Sequence, residues 1–229
     1  MENKEEKKDN KKIVRGIIVV LGIIVILYLL FIMRNSIILN VLHNKNMSYE
    51  NNNNIYKKVV SEQADGRIME TEVFYKDGTD KTILSYNGEK VAIQIDNENT
   101  HKFFSIKNKR ATIQNNQGLV TKTQIPDFTE TYYGFWGVFV NGATNLITSA
   151  NVNGVECYKI TGPLESIIAS AEIKGFPSVY IEKETGLPVK CEQTLKDGRV
   201  ITTTYQFEFG VVTDEDLREP DLTEYEIEE

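Results

Sequence analysis

The sequence predicts an α+β domain, an antiparallel β-sheet with a few packed helices, behind one N-terminal transmembrane helix. Two observations carry this prediction. Residues 17–33 form an unbroken stretch without a charged side chain. Beyond residue 55, Asp-Gly and Asn-Gly turn signals recur at short intervals between segments of strand length with alternating polarity. Such regular strand–turn spacing is typical of an antiparallel meander.

The apolar stretch is long enough to cross a bilayer. At about 1.5 Å per residue, residues 13–33 cover the ~30 Å hydrocarbon core if Arg15 extends its side chain towards the headgroups. We therefore predict a transmembrane helix over 13–33. The residues assigned to this span include Ile13, Ile17, Leu21, Leu27 and Met33.

Lysine and arginine predict the orientation of this helix. They are concentrated in the first fifteen residues, whereas only Arg34 and Lys45 follow closely behind the span. We expect residues 1–12 to be a cytoplasmic tail without regular structure and the C-terminal domain to lie outside the cell membrane. A cleaved secretory signal is the alternative. The sequence argues against it, because the first alanine is Ala64 and no small-x-small cleavage site precedes it.

Residues 34–54 are predicted to form a juxtamembrane helix and a linker. Ile38, Leu39 and Leu42 recur at helical spacing, so the anchor helix is expected to continue to His43 and to rest on the membrane surface or on the domain. The asparagine run at 51–54 indicates a turn or linker. The extracytoplasmic domain is assigned to residues 55–224.

Alternating polarity locates several strands of this domain. Residues 90–96 place Val91, Ile93 and Ile95 on one face, and residues 199–211 place apolar side chains at odd positions. Between these segments we predict a strand over 154–161 and a hairpin of 179–182 with 187–195.

Two segments are predicted to be helical. Residues 127–150 are rich in aromatics and are interpreted as one or two helical pieces with Asp127 as the N-cap. Residues 163–171 are interpreted as a short helix, with Pro163 near the first turn. The tail from Asp214 is rich in acids and is expected to be a solvated end.

The chain offers no pattern for catalysis, cofactor binding or metal binding. His43 and His101 are its only histidines, and neither belongs to a ligand-spaced motif, so both are predicted to be solvated loop residues. No Gly-x-Ser-x-Gly motif, glycine-rich phosphate loop or Cys-x-x-Cys pair occurs. The net charge of −7 argues against a nucleic-acid partner. We predict a protein that is not an enzyme and has no cofactor.

The two cysteines, Cys157 and Cys191, are predicted to lie on strands with the strand of Tyr180 between them. Strands that are next but one lie about 9–10 Å apart, beyond disulfide reach. Free, buried or half-buried thiols are therefore expected. A disulfide, which an oxidising compartment would permit, is the alternative.

The C-terminal part of the chain resembles the lipoprotein-carrier (LolA-like) superfamily. The similarity lies in residues 155–160, in 179–190, in the long Tyr/Phe strand that follows and in 216–220. This resemblance implies a strongly curved, half-barrel-like antiparallel sheet with helices on its concave side and an apolar groove without a defined ligand. Gly186 then fits a turn with positive φ, and Pro188 an early strand position. A permanent anchor is not compatible with free transport of cargo between membranes.

These observations lead to a hypothesis for function. We predict a non-catalytic, membrane-tethered binding protein for lipid or for the acyl chains of a lipoprotein, with the lipid bilayer as its first partner. The alternative is an envelope sensor or assembly protein that acts through contact with another envelope protein. The aromatic block around Trp136 is either the lining of a groove or an ordinary core. The candidate groove residues are Phe135, Trp136, Phe139, Tyr180, Tyr205, Phe207 and Phe209.

Overall fold

A single open sheet dominates the computed structural model, which describes residues 2–63, 65–115, 125–129, 135–163 and 174–228. Its twelve strands within these residues run in the order β12-β6-β5-β4-β3-β2-β1-β11-β10-β9-β8-β7. The described pairs are antiparallel except β12 with β6. The predicted α+β class with an antiparallel sheet is confirmed. The strands are β1 (Asn54–Glu62), β2 (Ile68–Lys76), β3 (Thr79–Tyr86), β4 (Glu89–Asp96), β5 (Thr100–Ser105), β6 (Arg110–Asn115), β7 (Leu146–Val152), β8 (Val155–Thr161), β9 (Ser178–Glu182), β10 (Pro188–Thr194), β11 (Val200–Phe209) and β12 (Glu226–Glu228).

One helix, α1 (Glu2–Met47), contains the apolar span and both of its flanks. The expectation that residues 1–12 lack regular structure is wrong. Lysine and glutamate favour helix, and extending an existing helix avoids the cost of nucleation. At the other end the helix continues to Met47 and β1 begins at Asn54, so the predicted linker shortens to 48–53.

Beyond the apolar span, α1 becomes part of the core of the domain. Its buried residues recur every three or four positions, so one face of the helix packs against the sheet. Leu39 and Leu42 are 2% and 1% exposed. The helix therefore rests on the domain, which was one of the two positions predicted for it. The buried residues of this face are Ile32, Asn35, Ser36, Leu39, Leu42 and Asn46.

Two apolar clusters lie on opposite faces of the sheet. The first joins α1 and Phe128 to the face of β7–β11 that carries Ile160, Val179 and Cys191. The second joins Ile95, Phe104 and Ala111 of β4–β6 to Leu222 and Tyr225 of the C-terminal tail. The register places the two clusters on different faces, because directly paired residues share a face of the sheet and neighbours along a strand do not.

The C-terminal tail is attached to the sheet rather than free, although most of its residues are exposed, as predicted. Its acids face lysines of the strands: Lys76 Nζ lies 2.6 Å from Asp214 Oδ1, and Lys102 Nζ lies 2.6 Å from Glu219 Oε1. The Lys81 ammonium donates to the Asp216 and Arg218 carbonyl oxygens at 2.8 and 2.7 Å. Together with the packing of Leu222 and Tyr225 against the second cluster, these contacts hold the tail on the sheet.

The segment predicted as helical over 127–150 contains both a helix and a strand. The second helix, α2, covers Phe135–Thr144, but Leu146–Val152 is strand β7. Asn153 and Gly154 join β7 to β8 with positive φ values of 51° and 92°. A type I′ hairpin turn has positive φ at both central residues, and an Asn-Gly pair suits it. Residues 146–152 therefore form the first strand of a hairpin and not the helix that was predicted. The helix predicted over 163–171 lies almost entirely outside the described residues.

The cysteines are free, as predicted. Cys157 lies on β8 and Cys191 on β10, with β9 between them, and both side chains are buried. Burial raises the pKa of the Cys191 thiol to about 12 and also raises that of Cys157. Both thiols are therefore protected from modification in the folded protein.

The histidines are not solvated loop residues. His43 lies on α1, and its Nδ1 is 2.5 Å from Asp127 Oδ2. His101 lies on β5, and its Nδ1 is 2.5 Å from Asp96 Oδ1. The carboxylates explain why these rings can be partly buried, because they satisfy the ring nitrogens.

Candidate functional site

The apolar face of β11, β1 and β2 forms the candidate binding surface. Tyr205 pairs with Val59, and Phe207 pairs with Lys57. Lys57 and Val59 pair in turn with Val73 and Thr71 of β2. Because directly opposed residues lie on the same face of the sheet, the β11 aromatics and the side chains of β1 and β2 that are in register with them form one surface.

Two of the three β11 aromatics are covered by other parts of the chain. Tyr205 makes an edge contact with Phe128 at a centroid distance of 5.8 Å, and burial raises the pKa of its phenol. Phe209 stacks on Tyr49 at 4.5 Å. Phe207 lies between them on the same face and is partly exposed. The surface thus has a packed end at Tyr205, a covered end at Phe209 and Phe207 in its middle.

Tyr180 lies on the opposite face of the sheet from this surface. It pairs with Lys190, which pairs with Thr204, and Thr204 alternates with Tyr205 along β11. The Tyr180 hydroxyl donates to Glu192 Oε2 at 2.7 Å. The ammonium groups of Lys159 and Lys190 lie 5.3 and 5.4 Å from its ring centroid. These contacts make Tyr180 the centre of a charged cluster rather than a neighbour of Tyr205.

The remaining candidate groove residues belong to α2. Phe139 is partly exposed, and Phe135 and Trp136 lie in the first turn of α2. The helix lies against α1 just beyond its apolar span, since Gly142 faces Ser36 and the Ile32 carbonyl. Helix α1 thus positions α2, and the place of its aromatics in the groove stays a prediction.

The side chain that sequence reasoning missed on this surface is Lys57. It lies between Ile55 and Val59 on the face of β1 that belongs to this surface. Burial lowers the pKa of its ammonium, and the Asp80 carboxylate opposes that shift. The signal was readable in the sequence, because the alternation of β1 places a charge at an apolar position. Lys57 and Asp80 therefore place two opposite charges on the same face of the sheet.

The described residues contain no group of three or more histidine, cysteine or acidic side chains placed to hold a metal ion. Carboxylates of the neighbouring strands are instead engaged with lysines, for example Glu70 with Lys58 at 3.0 Å. On the described part of the surface, the available chemistry is apolar contact, with the opposite charges of Lys57 and Asp80 beside it.

Asn35 fixes the position of α2 on the anchor helix. Its side chain is fully buried, and its amide donates to the Gly142 and Asn145 carbonyl oxygens at 3.1 and 2.8 Å. These carbonyls lie at the C-terminal end of α2, where helix carbonyls lack partners of their own. One asparagine therefore satisfies two buried acceptors.

Replacing Asn35 with leucine should destabilise the domain, because both carbonyls lose their donor. We expect a loss of about 2–4 kcal/mol in the free energy of unfolding. Asn40→Leu, which replaces an exposed asparagine on the same helix, is the matched control and should change stability little. Denaturant unfolding in detergent micelles measures both variants, and equal stability would exclude this role of Asn35.

No family profile matches the chain, and no curated protein matches it. Among solved structures, an uncharacterised conserved protein from Thermus thermophilus aligns with a TM-score of 0.49 and 11% identity over 82% of this chain and 97% of that one. A LolA superfamily protein from Nitrosomonas europaea aligns with a TM-score of 0.27 and 8% identity over 79% of this chain and 96% of that one.

A complex of MucA and MucB from Pseudomonas aeruginosa also aligns, with a TM-score of 0.35 and 12% identity. The match covers 82% of this chain and 61% of that one. Similarity at these levels concerns the fold and carries over neither a ligand nor a partner. The LolA-like resemblance stays a prediction from the sequence.

Proposed function

We propose that this protein is a membrane-tethered binding protein for an apolar ligand, a lipid or the acyl chains of a lipoprotein. The supporting observation is the row of Tyr205, Phe207 and Phe209 on one face of β11, in which Phe207 is partly exposed. Hydrocarbon would lie along the strand face, and each Å² removed from water would contribute about 25 cal/mol.

The proposed location is the cell membrane, with the N-terminus in the cytoplasm and the sheet outside. One helix among the described residues is long and apolar enough to span a membrane, and only 6% of its apolar window is buried in the protein. A core helix would be covered by other elements, whereas this one exposes apolar side chains all round over 17–30. The orientation follows from the lysines and arginine that precede the span.

Lipid extracted from the purified full-length protein tests the ligand. Phe207→Asp places a charge on the proposed surface, whereas Gln206→Asp places the same charge on the opposite, exposed side of the same strand. We expect Phe207→Asp to remove bound lipid and Gln206→Asp to retain it. Phe207→Ala, which shortens the side chain without adding a charge, should lower lipid content in a protein that still unfolds cooperatively.

If the wild-type protein carries no lipid and shows no lipid-dependent thermal shift, the proposed function is wrong.

A second candidate is an envelope assembly or sensor protein. It is favoured by Ile37 and Val41, which are 61% and 46% exposed on α1 beyond the apolar span. They could receive an apolar helix of another membrane protein. Photo-crosslinking from position 37 in intact membranes would capture that protein, and a stoichiometric adduct would favour this candidate over lipid binding.

A further inference from the structure

The two ends of the sheet differ in their position relative to the anchor helix. We call the proximal rim the end formed by connections 63–67, 87–88, 106–109, 195–199 and 224–225, segment 174–177 and the start of β7. We call the distal rim the opposite end, formed by 48–53, 77–78, 97–99, 153–154, 183–187 and 210–216. The register of the antiparallel pairs assigns each connection to one rim.

Helix α1 crosses the sheet from the proximal to the distal rim. Asn35, two residues beyond the apolar span, bonds to Asn145, which directly precedes β7. Asn46 and Lys45 bond to Gly186 and Lys183 in the distal rim. These contacts are about 15 Å apart along the helix at 1.5 Å per residue. The proximal rim therefore lies where the helix would leave the bilayer.

Large apolar side chains are exposed on the proximal rim. Phe176 is 64% exposed and Leu146 is 55% exposed. Val200, at the start of β11, is 51% exposed, and Ile68, at the start of β2, is 47% exposed. Exposed aromatic and aliphatic side chains of this kind insert into the boundary between the lipid headgroups and the acyl chains of a membrane.

The charges of the two rims have opposite sign. Among the described connections of the proximal rim, the acids are Asp65 and Asp197, each paired with an arginine, and Glu224, which pairs with Lys109 at 3.0 Å. Basic residues outnumber them: Arg67, Lys107, Lys109, Lys174, Lys196 and Arg199. In the described connections of the distal rim the basic residue is Lys183, and the acids include Glu50, Asp77, Glu98, Glu184, Asp214 and Glu215.

We propose that the proximal rim docks onto the anionic surface of the bilayer that holds α1. Apolar tips would enter the headgroup region, and the lysines and arginines would lie among lipid phosphates. The acidic distal rim would be repelled from the same surface, so the charge asymmetry and the apolar tips favour one orientation. Docking would open the proximal end of the binding face towards lipid, where an amphiphile could enter.

This inference rests on the proposed membrane location, and labelled cysteines separate the two. The native thiols are buried, so a cysteine introduced at Phe176 on the proximal rim, Asn99 on the distal rim or Leu21 in the span is labelled selectively with a fluorophore. Each full-length protein is placed in nanodiscs of phosphatidylcholine, with or without phosphatidylglycerol. Nitroxides at the headgroup or along the acyl chain then quench the label by contact.

We expect the label at Leu21 to be quenched by acyl-chain nitroxides and the label at Phe176 by headgroup nitroxides, with Asn99 unquenched. Phosphatidylglycerol should strengthen quenching at Phe176, and high salt should weaken it. Lys174→Glu with Lys196→Glu should lower the ratio of docked to undocked domain at least about tenfold, whereas Lys183→Glu on the distal rim should not.

The outcomes distinguish the two proposals. If Leu21 is quenched and Phe176 is as unquenched as Asn99, the anchor stands and the docking proposal is wrong. If Leu21 is unquenched, the membrane location itself is wrong. If Phe176 is quenched equally with and without phosphatidylglycerol, and the double glutamate variant behaves as wild type, the proposed anionic partner is wrong.

Discussion

Gly186→Ala, which adds a single methyl group, is expected to lower the stability of the fold strongly. Gly186 has φ +75°, which L-residues rarely adopt, and an added Cβ would lie 2.5 Å from the Leu42 carbonyl oxygen and 2.8 Å from Lys45 Cβ. Positive φ alone costs an alanine about 1–2 kcal/mol. The contact with α1 should add about 1–3 kcal/mol, because a packed helix backbone cannot yield locally.

Gly154→Ala separates these two costs. Gly154 also has positive φ, +92°, but a Cβ there would meet no atom within 4 Å. Its loss of stability should reflect backbone strain alone, and the difference between the variants should report the contact between the β9–β10 turn and α1. Denaturant midpoints in detergent micelles measure both. Equal losses would show that the turn does not press on the helix.

Gly142→Ala should weaken the packing of α2 against α1. An added Cβ would overlap both Ser36 Oγ and the Ile32 carbonyl oxygen, and the backbone oxygen cannot rotate away. We expect a loss of about 2–4 kcal/mol, by overpacking and by weakening the two hydrogen bonds that Asn35 donates. Unfolding should remain cooperative at a lower denaturant midpoint.

The matched control is Gly16→Ala in α1, where an added Cβ meets no atom within 4 Å. Alanine is the better helix former, so this variant should be neutral or slightly stabilised. Increased protease sensitivity of α2 in Gly142→Ala, but not in Gly16→Ala, would locate the effect. Wild-type resistance in both variants would mean that the two helices are not packed this closely.

Local patterns predicted much of this fold. The alternation in β4 and β11 located those strands, the turn at Gly186 was assigned its positive φ, and the cysteines were predicted to be separated by a strand. These features depend on backbone sterics and on the period of two along a strand, both of which are readable in one chain.

Long-range pairing accounts for what the sequence did not reveal. The tail was interpreted as solvated because its acids are many, but their lysine partners lie on β2, β3 and β5, more than a hundred residues earlier in the chain. Tyr180 was grouped with Tyr205 because both are aromatic, whereas the register through β10 assigns them to opposite faces. Lys57 was overlooked because the bounds of β1 were not predicted, so the alternation of that strand was not used to place the lysine on the apolar face.

The burial of Leu39 and Leu42 by β8–β10 has a consequence for biosynthesis. Helix α1 is translated first and its sheet partners more than a hundred residues later, so the side chains of Leu39 and Leu42 stay uncovered until strands β8–β10 have been made. Such non-local packing is slow to form. Fragments that begin after the helix would lack part of their own interior, and chaperone dependence during folding is the expected cost of this architecture.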